Sequence, residues 1–290
     1  MPILNVNDML RWRENHPRSA ADRIEIRKKI AAVIAPVLAD YGFVKVRSTF
    51  LRLHADYMLQ SISVCYRANF EPSLQMLSTA LYDFETRWHG YFQGIRSNCG
   101  VEGIMIATAA GLQIQTKSEN DYLAFQTDMD AALEKEIELL KTDTIPRLDK
   151  TITCFDAIKL YQHKSYESYL AAVAFLWHKD YKQALQLYEK FIIPEQERLN
   201  ETLRIQAIPK QERSFFDWSF PEEHFPLHIH AYEKKVEELQ SKIDMLRENR
   251  INDFVPLMNR SMEEAYQEIG KLSKRFVQKY PCPPPITSIL

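Results

Sequence analysis

The sequence predicts an α+β fold, in which an N-terminal helix packs on an antiparallel β-meander and an α-helical C-terminal half with a helical hairpin follows. Between residues 43 and 82, apolar residues recur at strand spacing, and short polar segments divide the stretch. Beyond residue 148 they recur at helical spacing instead. We therefore expect an α+β domain over residues 1–147 and a helical region over residues 148–290.

The first helix is expected to span Ala20 to Tyr41, because its apolar residues form a single stripe at helical spacing. Ser19 precedes this stretch and is suited to accept hydrogen bonds from the first N–H groups as the N-cap. Gly42 ends it, since glycine readily adopts the left-handed backbone conformation that closes many helices. Pro36, inside the stretch, predicts either a kink or a break.

The antiparallel arrangement of the sheet follows from the lengths of its connections. Residues 54–56 and 69–73 are polar segments of hairpin length between strand-like runs. We therefore expect the strands around Phe50, Ile62 and Leu77 to be antiparallel neighbours. The first helix should cover one face of this sheet.

Further strands and a second helix are expected after the meander. Residues 104–107 and 112–116 are strand-like and lie in a glycine-rich part of the chain. Asp128 is placed to cap a helix over residues 129–141. The apolar residues on the buried side of that helix are Leu133, Ile137 and Leu140.

The helical region contains several elements that are recognisable from apolar spacing. They are a helix over residues 152–161, a hairpin over 166–191 that turns at residues 178–179, a helix over 194–208, and heptad helices over 229–277. The second helix of the hairpin resembles the second helix of a tetratricopeptide repeat. Because a solenoid needs at least about three repeats, a single unit favours an isolated hairpin over a peptide-binding array.

A protein partner is expected for the C-terminal half. The linker at residues 209–226 is rich in aromatic residues, of which Trp218 and Phe220 are candidate partner-binding residues. The heptad helices are short for an autonomous coiled coil, so a partner, a second copy or the chain itself must cover their seam. The residues that a fold-back of these helices leaves unmatched are Leu257, Tyr266 and Phe276. We therefore expect binding of another protein or self-association through the C-terminal helices.

The formal net charge of −2 makes nucleic-acid binding an unfavoured function, because that function needs a basic surface. Basic residues nevertheless outnumber acidic ones in the N-terminal part of the chain. These basic residues are Arg11, Arg13, Arg18, Arg23, Arg27, Lys28, Lys29, Lys45, Arg47 and Arg52. Solvated helix faces are the more common explanation of such an excess, and a polyanion site is the alternative.

A cytoplasmic location is expected from what the sequence lacks. Its apolar runs fall well short of the roughly 18 residues of a membrane span. The N-terminus has no charged start followed by an apolar run, as a signal peptide would. The four cysteines, Cys65, Cys99, Cys154 and Cys282, are far apart and form no C-x-x-C pair, which fits a reducing compartment. We expect a soluble protein with no membrane association.

The densest group of potential metal ligands consists of His224, His228 and His230. Pro226 is expected to prevent a continuous helix between the first two histidines, which would remove the i, i+4 geometry of zinc proteases. We therefore expect no metal and no cofactor. The three histidines are the alternative ligand set.

No motif for phosphate binding, dinucleotide binding or a serine nucleophile occurs in the sequence. The alternative to a binding protein is a hydrolase or nuclease that uses Arg47, His54, Arg87 and His89, and it requires these four side chains to converge in a cleft. Arg87, Trp88 and His89 are also residue types that dominate binding hot spots. They are therefore candidate partner-binding residues.

Three local features of the N-terminal half occur together. They are a long helix ending at Gly42-Phe43, a strand with Phe50 and Arg52, and a later helix closing at Ile145-Pro146. In these features the chain resembles a bacterial family of α+β domains of unknown function, family 4304. The resemblance implies an α+β fold and framework roles for Arg52 and Gln60, and it implies no activity. We therefore expect a non-enzymatic cytoplasmic protein-interaction module of unknown partner.

Overall fold

The computed structural model describes residues 20–55, 57–66, 72–86, 88, 112–115, 129–156, 169–209, 212 and 224–290. Their helices and strands are α1 (Ala20–Asp40), β1 (Val44–Val46), β2 (Thr49–Leu53), β3 (Met58–Tyr66), β4 (Pro72–Ala80), β5 (Leu112–Gln115), α2 (Met129–Leu139), α3 (Ile145–Asp149), α4 (Tyr169–Trp177), α5 (Tyr181–Ala207), α6 (Phe225–Arg247), α7 (Val255–Leu272) and α8 (Lys274–Lys279). A π-helical turn at Leu140–Thr144 joins α2 to α3, and a 3-10 helix at Ile251–Phe254 precedes α7. None of the helices in this part of the chain is both long and apolar enough to cross a membrane.

The described residues belong to two compact units. The first contains those between residues 20 and 156 together with residues 257–285, and the second contains residues 169–256 and 286–290. The units therefore do not follow the expected division after residue 147, because most of α7 and all of α8 belong with the sheet. Apolar periodicity cannot reveal this, since it shows which face of a helix is buried and not which element covers that face.

The predicted meander is confirmed. The sheet has the strand order β1-β2-β3-β4-β5, and every neighbouring pair is antiparallel. Phe50 pairs with Ile62 on the neighbouring strand, and Ser61 pairs with Leu77 on the next. The strand expected at residues 112–116 is β5, whereas the one expected at residues 104–107 lies outside the described residues.

Helix α1 continues through Pro36, so the break that proline made conceivable does not occur. Its C-terminus closes as predicted at Gly42, whose φ is +91°. The N–H of Phe43 donates to the carbonyl oxygen of Leu38 and that of Gly42 to Ala39, which is the bonding pattern of a Schellman motif. The expected cap, Ser19, lies outside the described residues.

One face of the sheet packs against α1 and α2 in a single apolar core. The core residues are Ile30, Ala31, Ile34, Leu38, Phe43, Phe50, Ile62, Val64, Leu74, Met76, Leu133, Leu140, Ile145 and Leu148. Ile137 is half-buried against the same cluster, so the buried side predicted for the second helix is confirmed. That helix is shorter than expected, because α2 ends at Leu139 and Leu140 opens the π-helical turn.

The second unit contains the predicted helical hairpin, formed by α4 and α5. The turn lies at residues 178–179, where Lys179 has a φ of 64°, and the Asp180 side chain caps α5 by accepting from the Gln183 N–H. The expectation of a separate helix over residues 194–208 is wrong, because α5 runs without a break through Pro194 to Ala207. Pro194 lies on the exposed side of the helix, so water can hydrate the carbonyl that lacks its usual donor.

The predicted heptad positions lie on separate packing surfaces. Helix α6 packs along α5, with its seam residues Leu239, Ile243 and Leu246 buried. In α7 and α8, Tyr266 is 7% exposed and Phe276 is fully buried, so the expectation that these two side chains stay unmatched is wrong. Helix α6 is covered by the preceding helix α5, whereas Ser261 of α7 bonds to the distant Trp88, which a fold-back of α6 and α7 on each other does not anticipate.

Candidate functional site

A cleft with four basic side chains lies between α1 and the hairpin formed by β1 and β2. Arg27 and Lys28 come from α1, Lys45 from β1, and Arg47 from the turn between the two strands. The cleft has a volume of about 310 Å³. No acidic side chain lines it among the residues that the structure describes.

The helical wall of the cleft follows directly from the sequence of α1. Ile24, Arg27, Lys28 and Ala31 stand at spacings of three and four residues, so they share one face of the helix. Ala31 is buried in the core, whereas Ile24 remains 40% exposed. The wall therefore combines apolar side chains with two cations.

The opposite wall is built by the β1–β2 hairpin. Strand β1 alternates, with Val44 and Val46 buried and Lys45 exposed between them. Val46 pairs with Thr49, which leaves Arg47 and Ser48 as a two-residue turn. Lys45 and the turn therefore stand at the cleft rather than in the core.

Arg47 occupies the left-handed region of backbone space, with a φ of 58°. This conformation costs an L-residue with a Cβ roughly 1–2 kcal/mol, and glycine or asparagine ordinarily takes it. Strain of this kind concentrates at functional sites, where the side chain rather than the turn geometry sets the residue type. Tyr57, Lys179 and Asn249 share this conformation, so it is the position of Arg47 in the cleft that indicates a role for its side chain.

Three of the four cations of the cleft are not compensated within the described part of the chain. Lys28, Lys45 and Arg47 make no hydrogen bond or ion pair with any residue there, and all three are exposed. Like charges held this close together create a positive potential that attracts anions. The arrangement can bind a negatively charged group, and among the described residues its lining offers neither a base nor a metal-ligand set for chemistry.

Arg52 contributes to the structure and not to the cleft. Its Nε donates to Gln60 Oε1 at 2.7 Å, its Nη1 to the Tyr41 carbonyl at 3.1 Å, and its Nη2 to Asp149 Oδ1 at 2.5 Å. Gln60 in turn donates to the Thr151 hydroxyl at 2.9 Å. These bonds join the sheet to α1 and α3, which is consistent with the framework roles expected for Arg52 and Gln60.

The residues of the hydrolase or nuclease alternative do not converge where they are described. Arg47 precedes β2 and His54 follows it, so the two lie at opposite ends of one strand, about 20 Å apart at the usual rise per residue. The His54 ring makes a contact of 3.2 Å with the carbonyl oxygen of Asp149. Arg87 and His89 lie outside the described residues. Arg47 and His54 therefore cannot act on one substrate atom.

Trp88 is an interior residue and not part of an exposed binding surface. Its side chain is 1% exposed, and its Nε1 donates to Ser261 Oγ on α7 at 2.8 Å. No pattern in the sequence indicates this partner, which is 173 positions away. The other candidate partner-binding residues, Arg87, His89, Trp218 and Phe220, lie outside the described residues.

The histidines of α6 are arranged differently from expectation. The helix begins at Phe225 and contains Pro226 in its first turn, where proline is tolerated, so Pro226 does not interrupt the path from His224 to His228. The ring centroids of these two histidines are 6.3 Å apart, and His230 is exposed. The described residues contain no group of three side chains that could hold a metal ion.

Four residues of the cleft were among the basic excess of the N-terminal segment, where solvated helix faces were the favoured explanation. The sequence signal for a site consists of the adjacent cations Arg27 and Lys28 of α1 together with Lys45 and Arg47 of the β1–β2 hairpin. Ile24 and Ser48 carried no signal in the sequence alone. Comparison with known proteins adds no assignment, because no family model, curated protein or solved structure matches the chain.

Proposed function

We propose that this protein is a non-enzymatic cytoplasmic interaction module that binds an acidic segment of another protein in the basic cleft. The observation that carries the proposal is the convergence of Arg27, Lys28, Lys45 and Arg47 on one cleft with no acidic residue in its described lining. Complementary charge across an interface raises the association rate and excludes partners of the wrong sign. An acidic segment supplies that complement.

The size of the cleft favours a protein segment over a nucleic acid. Proteins that bind duplex DNA mainly through its backbone typically make about 6–10 phosphate contacts, and such contacts are spread along a broad basic surface. Here four cations surround a cavity of about 310 Å³, and the chain as a whole carries a net charge of −2. A short peptide segment matches this size and charge.

The chemistry of the cleft supports binding without catalysis. Ser48 is its one hydroxyl residue among the described lining, and no histidine or carboxylate stands there to activate it. The hydrolase or nuclease alternative also required Arg47 and His54 to meet, and they lie at opposite ends of β2. Binding is the function that these side chains can perform together.

Self-association and a cytoplasmic location are two further parts of the proposal. Self-association through the C-terminal helices remains a prediction, but Tyr266 and Phe276 no longer support it because both are buried. A cytoplasmic location is supported by the dispersed cysteines. Neither part is needed for binding at the cleft.

The test compares two doubly substituted proteins that lose the same charge. Lys45→Gln/Arg47→Gln neutralises one wall of the cleft, and Lys141→Gln/Lys150→Gln neutralises two exposed lysines of the same unit outside it. A fluorescent heptaglutamate peptide is titrated with each protein at low salt. We expect the first variant to bind at least about ten-fold more weakly than the second, because it loses two charge-assisted contacts. Equal affinity of the two variants, or no binding by the unsubstituted protein, would refute the proposal.

A further inference from the structure

The cleft has an apolar floor as well as a basic rim. Ile24 is 40% exposed beside it, although a large aliphatic side chain gains most when it is withdrawn from water. Ala31 lies two helical turns further along on the same face, where it lines the cleft with a side chain that is 1% exposed. The exposed side chains of Lys28, Lys45 and Arg47 add their aliphatic stems to this floor while their charged ends reach solvent.

We infer that the acidic partner segment inserts an apolar side chain, flanked by acidic residues, between α1 and the β1–β2 turn. The inference rests on the proposed function and specifies its ligand. In this arrangement Ile24 contacts the inserted side chain, and the cations meet the acidic residues that precede and follow it.

The positions of the cations explain why acidic residues are needed on both sides of the inserted group. Arg27 and Lys28 stand on the helical wall, and Lys45 and Arg47 stand on the hairpin wall. An anchor between the walls therefore has positive charge on either side. A segment with acidic residues on one side alone would leave either Lys28 or the pair Lys45 and Arg47 without a counter-charge.

The volume of the cleft limits what can enter it. Pockets that enclose a drug-sized ligand range over about 300–1,000 Å³, so a volume of about 310 Å³ is at the small end of that range. Such a cavity accommodates one large side chain and not a folded element. A polyglutamate segment would meet the cations but leave Ile24 in water. An uncharged apolar segment would bury Ile24 but leave Lys28, Lys45 and Arg47 unmatched.

The experiment uses three labelled heptapeptides: six glutamates around a central phenylalanine, the same peptide with a central alanine, and six glutamines around a central phenylalanine. Each is titrated with the full-length protein at low salt, and dissociation constants are measured by fluorescence anisotropy. We expect the glutamate peptide with phenylalanine to bind about five- to ten-fold more tightly than its alanine counterpart, because one aromatic group is withdrawn from water. The glutamine peptide should bind more weakly than either.

Two matched substitutions test whether Ile24 is responsible for the preference for phenylalanine. Ile24→Ser should bind both glutamate peptides with the same affinity, whereas Ile152→Ser, at a 48% exposed isoleucine of the same unit, should keep the preference for phenylalanine. Arg47→Gln should weaken both glutamate peptides by the same factor. The comparison of the two glutamate peptides on the unsubstituted protein needs no variant, so it stands even if a substitution impairs folding.

The outcomes separate this inference from the function on which it rests. Equal binding of the two glutamate peptides, weakened by Arg47→Gln, overturns the apolar anchor and leaves the acidic-segment function supported. A phenylalanine preference that survives Ile24→Ser also overturns the anchor site. Failure of both glutamate peptides to bind refutes the proposed function and the inference together.

Discussion

The indole Nε1 of Trp88 donates a hydrogen bond of 2.8 Å to the hydroxyl of Ser261. Ser261 Oγ also lies 2.8 Å from the Leu81 carbonyl oxygen and 3.0 Å from that of Asp83, and the serine is 3% exposed. One hydroxyl thus joins α7 to the chain that leaves β4. This contact makes α7 part of the sheet-containing unit despite its distance in sequence.

Ser261→Ala should lower the free energy of unfolding by about 1–3 kcal/mol, because buried polar groups lose a hydrogen-bond partner. The measurement is the urea midpoint followed by circular dichroism. Ser241→Ala, at an exposed serine of α6, is the control and should leave the midpoint nearly unchanged. Equal midpoints for the two variants would contradict the role given to Ser261.

The hydrogen bonds of Arg52 predict that its loss destabilises the fold more than the loss of its partner Asp149 does. Arg52→Met should lower the free energy of unfolding by about 2–4 kcal/mol, because it removes three hydrogen bonds from a residue that is 6% exposed. Asp149→Asn should lower it by about 1 kcal/mol or less, because that side chain is 47% exposed and water can replace its partner. Urea unfolding of both variants checks this order, and a larger effect of Asp149→Asn would reverse the account.

Arg47 should show opposite effects on stability and on binding. Arg47→Gly relieves roughly 1–2 kcal/mol of left-handed strain and costs roughly 0.5–1 kcal/mol in chain entropy. We therefore expect a slightly higher unfolding midpoint together with weaker binding of the glutamate peptides. Lys179→Gly, where φ is 64°, is the control for the same backbone change outside the cleft and should leave peptide binding unaltered. A loss of stability on Arg47→Gly would show that the turn is not strained.

The thiol of Cys282 should become reactive at a higher pH in the folded protein than in the unfolded chain. Burial raises the pKa of the Cys282 thiol, and the negative charge of Glu263 raises it further. Alkylation of Cys282 by iodoacetamide, followed by mass spectrometry, should therefore reach half its maximal rate at a higher pH than in the unfolded chain. Glu263→Gln should lower that pH by part of the difference. Because the folded-state pKa is raised, this thiol stabilises the fold below its unfolded pKa, and that contribution is lost as pH rises through the folded value. An identical pH profile in the folded and unfolded protein would contradict the shift.

The absence of a metal remains a prediction, although Pro226 does not separate the histidines as expected. His224 and His228 do stand one turn apart on α6, but the described residues supply no third ligand near them. Protein purified without a histidine tag should contain less than one equivalent of zinc by elemental analysis. One tightly held equivalent that is lost in a His228→Ala variant would overturn this expectation.

Features set by local spacing were predicted well. Alternation around Phe50 and Ile62, with hairpin-length breaks, specifies an antiparallel register because a slip by one residue would turn every apolar side chain to the wrong face. Gly42 likewise specified the end of α1 through a purely local backbone requirement.

Features set by distant contacts were not predictable. Trp88 could not be assigned to the interior, because its partner Ser261 arrives from the far end of the chain. Pro194 predicts the start of a new helix, whereas α5 tolerates this exposed proline in its interior. The cleft forms because α1, which carries Arg27 and Lys28, lies beside the β1–β2 turn, which carries Arg47. The number of charges along the sequence does not show that these two elements come together.

The most direct measurement of the central claim is hydrogen–deuterium exchange of the full-length protein with and without the heptapeptide of six glutamates around phenylalanine. Binding at the cleft predicts slower exchange in residues 24–31 of α1 and residues 44–48 of the β1–β2 hairpin, and unchanged exchange in α4, α5 and α6. Protection confined to the helical unit, or no protection anywhere at saturating peptide, would contradict the assignment of the basic cleft as the binding site.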